Sequence, residues 1–462
     1  MSPQYVLGID SSTQSCKSVL VDAETGQIAD LRRAPHPGGT QVDPQAWRQA
    51  LTDSCDDLMS KVAAVAVAGQ QHGMVALDAA GEVVRPAMLW NDTSSAEQAR
   101  DLIEEMGGPQ ACADAVGSVM VASLTASKLR WMRDNEPKNA ARTTHVLLPH
   151  DYLTWHLGGC KEMTTDHGDA SGTGYYSTSA RAFVPELAER AVGHAVGLPR
   201  VAGPSEIVGE TAHGAPIGPG TGDNMAAALG LGLRPGDVCV SIGTSGVASA
   251  SVDRSVHDGT GLVTGFADAT GHFLPLACTL NGARVLELGA RLLGVDQDEF
   301  ARLALSAKPG ANGVCVLPYL DGERTPNRPD ANGMLRGLTT ATTREDLARG
   351  IVEGLLCSMR DAVLALETAT GVTTGRILLI GGGSNSEAIR RIAPQVFGVG
   401  VDVPDAGEYV ALGAARQAVW TLSGEANPPE WKGASFTKYD DGPQPHIFER
   451  YAELRDQTQD WG

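Results

Sequence analysis

Residues 8–22 read GIDSSTQSCKSVLVD. The lead YVLGI and the run KSVLVD are rich in β-formers, and between them lie Asp10 and then only small or polar residues, Ser11 to Ser15. The pattern predicts a hairpin with a polar tip and a carboxylate at its mouth. A second stretch, VCVSIGTSGVASA at residues 238–250, repeats the plan: apolar strand, small polar tip with glycine, apolar strand. A duplicated hairpin predicts two related domains, each opening on one, with the tips facing a common cleft. The expected units are residues 1–230 and 231–462. Length agrees, because a chain of 462 residues exceeds the ~250–300 at which a single core stops growing.

Hydrophobic residues make up 42% and charged residues 20%, the balance of a soluble globular chain. The formal net charge of -19 argues against nucleic acid as a partner, since a backbone-binding surface needs Lys and Arg. It leaves room for a small anion held by backbone N–H groups. The 55 glycines suit close backbone approaches. The 8 cysteines form no CxxC pair, and those in VCVSIG and GVCVLPY sit in apolar runs, so they read as reduced core residues of a cytoplasmic protein. No signal peptide and no run of the ~20 apolar residues that cross a membrane is read.

Outward from the first hairpin, GQIAD continues an antiparallel meander that ends near Pro35 and His36. Pro44 opens a helix, AAVAVAG at 63–69 is a strand, and MVALDAAGEVVRPAMLW reads as a short hairpin turning at Ala80–Gly81. The segment to about 200 reads as mostly helical. MAAALGLGL is a compact helix after Asp223 and Asn224. GLVTGFAD and HFLPLAC look like strands, REDLARGIVEGLLCSMRDAVLALETA is a long amphipathic helix, and RILLIGGGSNSEAIRRIAPQVFG is strand, glycine turn and helix. The tail from 424 shows no clear period.

Asp10 is either a turn former or a carboxylate that orients Mg2+ and phosphate, with Ser12 and Thr13 beside it. Gly243, Thr244, Ser245 and Gly246 make either an ordinary turn or a second phosphate tip. Gly381, Gly382, Gly383 and Asn385 follow a strand, yet they fit neither GxGxxG nor GxxxxGK[ST], so neither of those mechanisms follows. They are a tight turn or a flat bed for a nucleoside. Asp223, after PGTG, reads as an N-cap or as a general base that the helix N-terminus keeps ionised by lowering its pKa. Gln71, His72, Trp90, Asn91, Asp92 and Asn224 supply donors, acceptors and an aromatic wall suited to a polyol. Lys128 is a solvated charge or a substrate-side group. His145 and His150 have no HExxH spacing, and no structural zinc is placed.

Taken in order, GIDSSTQSCKSVLVD, VAGQQHGMVALD, AMLWNDTSSAEQ, TASKLRW, LLPHDYL, GDASGTGYY, GTGDNMAAALG, SIGTSGV and GGGSNSEAIR resemble the FGGY carbohydrate kinases along nearly the whole chain. The resemblance implies an α/β, two-domain actin-like ATPase (ribonuclease H-like) fold with a cleft between domains. It implies ATP and Mg2+ as cofactors, Asp223 as catalytic base, and Asp10 as the catalytic carboxylate handling Mg2+, with Asp223 also on the metal side. Ser12, Thr13 and Gly243–Gly246 would bind phosphates, and Gly381–Asn385 adenosine. QQHG, WND, TASKLRW and LLPHDYL are most similar to the D-xylulose-phosphorylating branch. Ribulose, gluconate, glycerol and 1-deoxy-D-xylulose remain alternatives, as does a non-catalytic nucleotide sensor. A homodimer is expected from the family, with no membrane partner. The chain departs from the family in DSSTQS, where a glycine-richer DxGTxS is frequent, in Gln71-His72, where Met-His is frequent, and in a short segment between Gly203 and Asp223.

Overall fold

The computed structural model describes residues 4–405, 407–431, 435–459 and 461. They form two compact units. The first runs to Leu233 and also takes Asp253–Leu274 and the stretch beginning at Glu408; the second holds Arg234–Val252, the stretch from Pro275 to Gly407 and the C-terminal stretch. The chain therefore crosses between units several times, which a division into two sequential halves at 230 does not include.

In the first unit, β1 (Tyr5–Ser11), β2 (Ser15–Asp22) and β3 (Ile28–Pro35) form the antiparallel meander. After α1 (Pro44–Met59), β4 (Val65–Gly69) returns parallel to β1. β4 lies between layers of helix, so all of VAVAG is buried, whereas the edge strand β3 is mostly exposed. Further on come α2 (Pro149–Leu157), the single turn α3 (His167–Ala170), β5 (Thr221–Gly222), which pairs parallel with β4, and α4 (Asp223–Leu231). The helix Tyr409–Ser423 closes one face of this sheet. Its Ala411, Ala415 and Ala418 pack on Val6, Val19, Val21, Ala64 and Ala66. At Gly8 the helix comes so near that a Cβ would stand 2.0 Å from the Ala411 carbonyl oxygen. Alanine and glycine are what this interface requires, because any larger side chain would part the layers.

The second unit repeats the scheme. β6 (Asp237–Ile242), β7 (Gly246–Ala250) and β8 (Leu276–Thr279) make an antiparallel meander, and after α5 (Arg344–Thr370) β9 (Arg376–Ile380) lies parallel to β6. α6 (Glu387–Phe397) and β10 (Val401–Pro404) follow, and the sheet order is β8-β7-β6-β9-β10 and then the strand Phe436–Tyr439. Three antiparallel strands continued by a parallel one, twice over, match the two related domains that the doubled hairpin predicts and the ribonuclease H-like fold that the resemblance implies.

The 74–90 segment is the short hairpin expected: Met74 bridges Met88, Leu77 bridges Val83, the Val84 N–H donates to the Ala76 carbonyl, and the chain turns between Asp78 and Glu82. Its arms also pair outward, Val75–Leu77 with His145–Leu147 and Ala87–Met88 with Gln41–Val42. Two expectations are corrected. Within GLVTGFAD only isolated bridge residues form, Thr264 and Ala267, the latter paired with Phe273, because this stretch runs as a connection. The tail is structured: Phe436–Tyr439 is a strand and Pro445–Gln457 a helix. That helix buries only Ile447, Tyr451 and Leu454, so its apolar stripe is too thin to stand out by periodicity.

Candidate functional site

Strand register assembles the site in the first unit. Asp10 on β1 and Thr221 on β5 both pair with Ala68 of β4, and Ser11 and Gly222 both pair with Gly69. Neighbouring strands lie about 4.8 Å apart, so three carboxyl-terminal strand ends stand side by side. Asp10 is the last residue but one of the first, Gln70 and Gln71 follow the second, and Asp223 follows the third.

Asp10 is buried, and its Oδ1 has no hydrogen-bond partner. Its Oδ2 lies 4.0 Å from Lys17 Nζ, which is bound at 2.5 Å to Glu408. Burial pushes the Asp10 carboxyl up to about 7; Lys17 pulls it back, and Glu408 adds to the rise. Lys17 was not anticipated, although the hairpin register sets it opposite Asp10, and counting from the tip would have found it.

Asp223 is the first residue of α4, half-buried, and Gly222 is the cap. Its Oδ1 accepts from the Asn224 backbone N–H at 2.8 Å. The expectation that the helix N-terminus lowers its pKa is overturned. Burial, and then the charge of Asp10, push it up to about 7, beyond what the Asn224 N–H offsets.

Asn224 Nδ2 donates to Gln71 Oε1 at 2.7 Å, and Gln71 Nε2 is buried with no hydrogen-bond partner. The neighbouring Gly222 makes room, since a Cβ there would lie 2.7 Å from Gln71 Cγ. His72 takes a left-handed backbone at φ 66. Its Nδ1 donates to the Gly172 carbonyl at 2.9 Å, and its ring centroid lies 5.5 Å from that of Phe266. Phe266 also escaped the sequence reading, because it is brought back from far along the chain.

Trp90 is 47% exposed. Its Nε1 donates to Thr13 Oγ1 at 2.9 Å, and Thr13 donates to Gln70 Oε1 at 3.4 Å, so the aromatic wall is tied to the first hairpin tip. Ser12 closes that tip by donating N–H and Oγ–H to the Ser15 carbonyl. Asn91 is exposed. Asp92 is buried and accepts from Thr40, Gln41 and Ser94; against the upward push of burial, these bonds hold it below the usual carboxylate range. Its oxygens brace the loop. Lys128 is buried and turned inward on the carbonyls of Ala122 and Ser123, so it is no solvated charge.

In the second unit, the Gly243 and Thr244 carbonyls accept from the Ala283 and Gly282 N–H groups, which pins the hairpin tip. Thr244 and Ser245 are exposed. Gly246 is obligatory, because a Cβ would meet Thr279 Oγ1 at 2.4 Å. Gly381, at φ 86, passes so near β6 that a Cβ would stand 2.7 Å from the Ile242 carbonyl oxygen; at Gly383 it would stand 2.4 Å from Ile242 Cγ2. Gly382 faces open space, and Asn385 at the end of the turn is exposed. Two glycines thus serve packing, and the third leaves a flat open surface.

The model of the FGGY family of carbohydrate kinases, N-terminal domain, matches residues 5–230, and that of the C-terminal domain matches residues 238–422. A xylulose kinase of Streptomyces coelicolor is 45% identical over 435 residues, covering 91% of this chain and 88% of the relative. The xylulose kinase of Escherichia coli is 33% identical over 441 residues, covering 89% of each. The solved xylulose kinase from Bifidobacterium adolescentis matches with a TM-score of 0.93 at 46% identity, covering 98% of this chain and 100% of that one.

Proposed function

This chain belongs to the FGGY family of carbohydrate kinases, and we propose that it transfers the terminal phosphoryl group of ATP to D-xylulose, giving D-xylulose 5-phosphate and ADP. The substrate follows relatives that match over nine-tenths of the chain. On this chain the reading is carried by one observation: a carboxylate held near neutrality, Asp223, stands beside a bonded amide pair, Asn224 and Gln71, that retains a buried unpartnered N–H.

Asp223 accepts the proton of the terminal sugar hydroxyl as that oxygen attacks phosphorus. Gln71 Nε2 donates to a sugar hydroxyl, Asn224 lines the same wall, and Trp90 offers an apolar face. A pocket that reads hydroxyls this way rejects an analogue lacking one, because its own buried donor is then left unpaired. Asp10 fits Mg2+: it is a hard oxygen donor with one oxygen unpartnered, and Mg2+ commonly takes one or two carboxylates together with substrate phosphates. When bound, the ion neutralises phosphate charge. In the second unit, Gly243–Gly246 supply the phosphate tip and Gly381–Asn385 the bed for adenosine.

The experiment is ADP release with Mg-ATP against D-xylulose, D-ribulose, L-ribulose, glycerol, D-gluconate, 1-deoxy-D-xylulose and no sugar, with Asp223→Ala alongside. Turnover on D-xylulose that the variant loses is the expected result. Turnover on another sugar moves the substrate and keeps the base. ATP binding with no sugar-dependent turnover overturns the kinase reading in favour of a sensor. Light scattering reads the expected homodimer.

A further inference from the structure

Behind Asp223 lies a group of ionisable side chains that the reaction does not use. His150, in the first turn of α2, is wholly buried, as are Asp151, Asp166 and Asp169. The His150 ring lies between two carboxylates: Nδ1 is 2.6 Å from Asp169 Oδ2, and Nε2 is 3.3 Å from Asp151 Oδ1. Asp166 caps α3, accepting from the N–H groups of Gly168 and Asp169, and takes a further bond from Thr221 Oγ1 at 2.6 Å. Thr221 begins β5, whose next residue leads into Asp223.

His150 also packs on the backbone where both strands deliver the site, through its backbone and Cβ at one and its ring at the other. A Cβ on Gly69, the last residue of β4, would stand 2.9 Å from His150 Cβ; one on Gly220, just before β5, would stand 2.7 Å from His150 Cδ2. Gly69 precedes Gln70 and Gln71, and Gly220 precedes Thr221. His150 is thus wedged under both strand ends.

We propose that His150 is a positioning residue for Asp223: an imidazolium clamped between Asp169 and Asp151 that fixes the ends of β4 and β5. This rests on the reading of Asp223 as base. Nδ1 is hydrogen-bonded to Asp169, whereas Nε2 and the facing Asp151 Oδ1 make no hydrogen bond and meet as an ion pair. Burial pushes Asp151 up to about 7 and Asp169 up to about 6, so at pH 8 both acids are anions, and a charged ring is the form that suits an anion on each side. Burial alone would strip the proton, but the charge of Asp151 and the bond and charge of Asp169 overturn it and hold the group at about 9. The acids facing the ring are Asp151 from its own helix, and Asp169 and Asp166 from α3.

The experiment compares wild type, His150→Ala and His150→Gln in the full chain, with turnover on the accepted sugar established for wild type first. Silence of wild type on every sugar would count against the kinase reading and not against the clamp. In His150→Ala, kcat per folded molecule is expected to fall about tenfold or more, with KM for ATP within about twofold. His150→Gln, which keeps a donor toward Asp169, should recover part of the loss. Wild-type kcat in His150→Ala overturns the proposal, as does an equal rise in KM for both substrates. Should the variants not fold, or wild type be silent, the 15N shifts of the His150 ring in wild type decide. Two protonated nitrogens at pH 8 are expected; a neutral ring, or signals that move on adding a chelator, overturn it.

Discussion

Replacing Gly413 by alanine adds one methyl group where α4 meets the helix Tyr409–Ser423. The two helices cross backbone on backbone: a Cβ on Gly413 would stand 1.8 Å from the Ala226 carbonyl oxygen, and one on Gly230 would stand 2.1 Å from the Tyr409 carbonyl oxygen. Real Cβ atoms come no nearer than 3.0 Å, and both colliding atoms are backbone, so no side chain can swing aside. The helices must part by roughly 1.2 Å, and a misplacement near 1 Å can cost about 10²-fold in rate. Ala226 lies one turn after Asp223, so the displacement passes straight to the proposed base. We expect kcat to fall about 10²-fold in the ADP-release assay. Overpacking should cost about 1–3 kcal/mol, a fall in Tm of roughly 2–5 °C for a unit of this size. KM for ATP should hold, because the glycine turn and second tip belong to the other unit. Gly375→Ala is the control, since a Cβ there meets nothing within 4 Å. Wild-type kcat and Tm in Gly413→Ala would refute the claim that this crossing sets the position of Asp223.

Other outcomes follow from the same geometry. As the proposed base, Asp223 can accept a proton only when ionised, and burial with the Asp10 charge holds it near 7. The pH profile of kcat/KM for the sugar should therefore be full above that value and fall as pH drops through it; a limb near 4, that of an ordinary carboxylate, would show the site to be wetter than described. Gln71→Ala removes both the unpartnered donor and the partner of Asn224, and should cut kcat/KM for the sugar by about tenfold or more, measured by initial rates, with KM for ATP unchanged. Gly381→Val places a β-branched side chain at φ 86 against the Ile242 carbonyl and should weaken ATP binding, read by calorimetry, without touching sugar affinity. Equal affinity would remove this turn from the nucleotide site.

Sequence alone determined the two hairpins, their carboxylate and glycine tips, the strand–turn–helix at 376–397 and the long helix Arg344–Thr370. Each rests on local pattern: alternation of β-formers, small residues where chains turn, and a wide apolar stripe. Asp10, Asp223, Gln71 and Asn224 were legible because motif order marks them without any contact being known. Tertiary structure alone decided what these groups are. Asp223 looked like an acid kept low by a helix, and became one held near 7, because burial and a like charge from another strand outweigh two backbone N–H groups. Asp92 looked like a sugar ligand, yet its oxygens are occupied by Thr40, Gln41 and Ser94. Lys17, Phe266 and the His150 clamp depend on strand register and on residues brought together from far along the chain. Solvation, charge coupling and close packing act through space, and no spacing along a sequence encodes them.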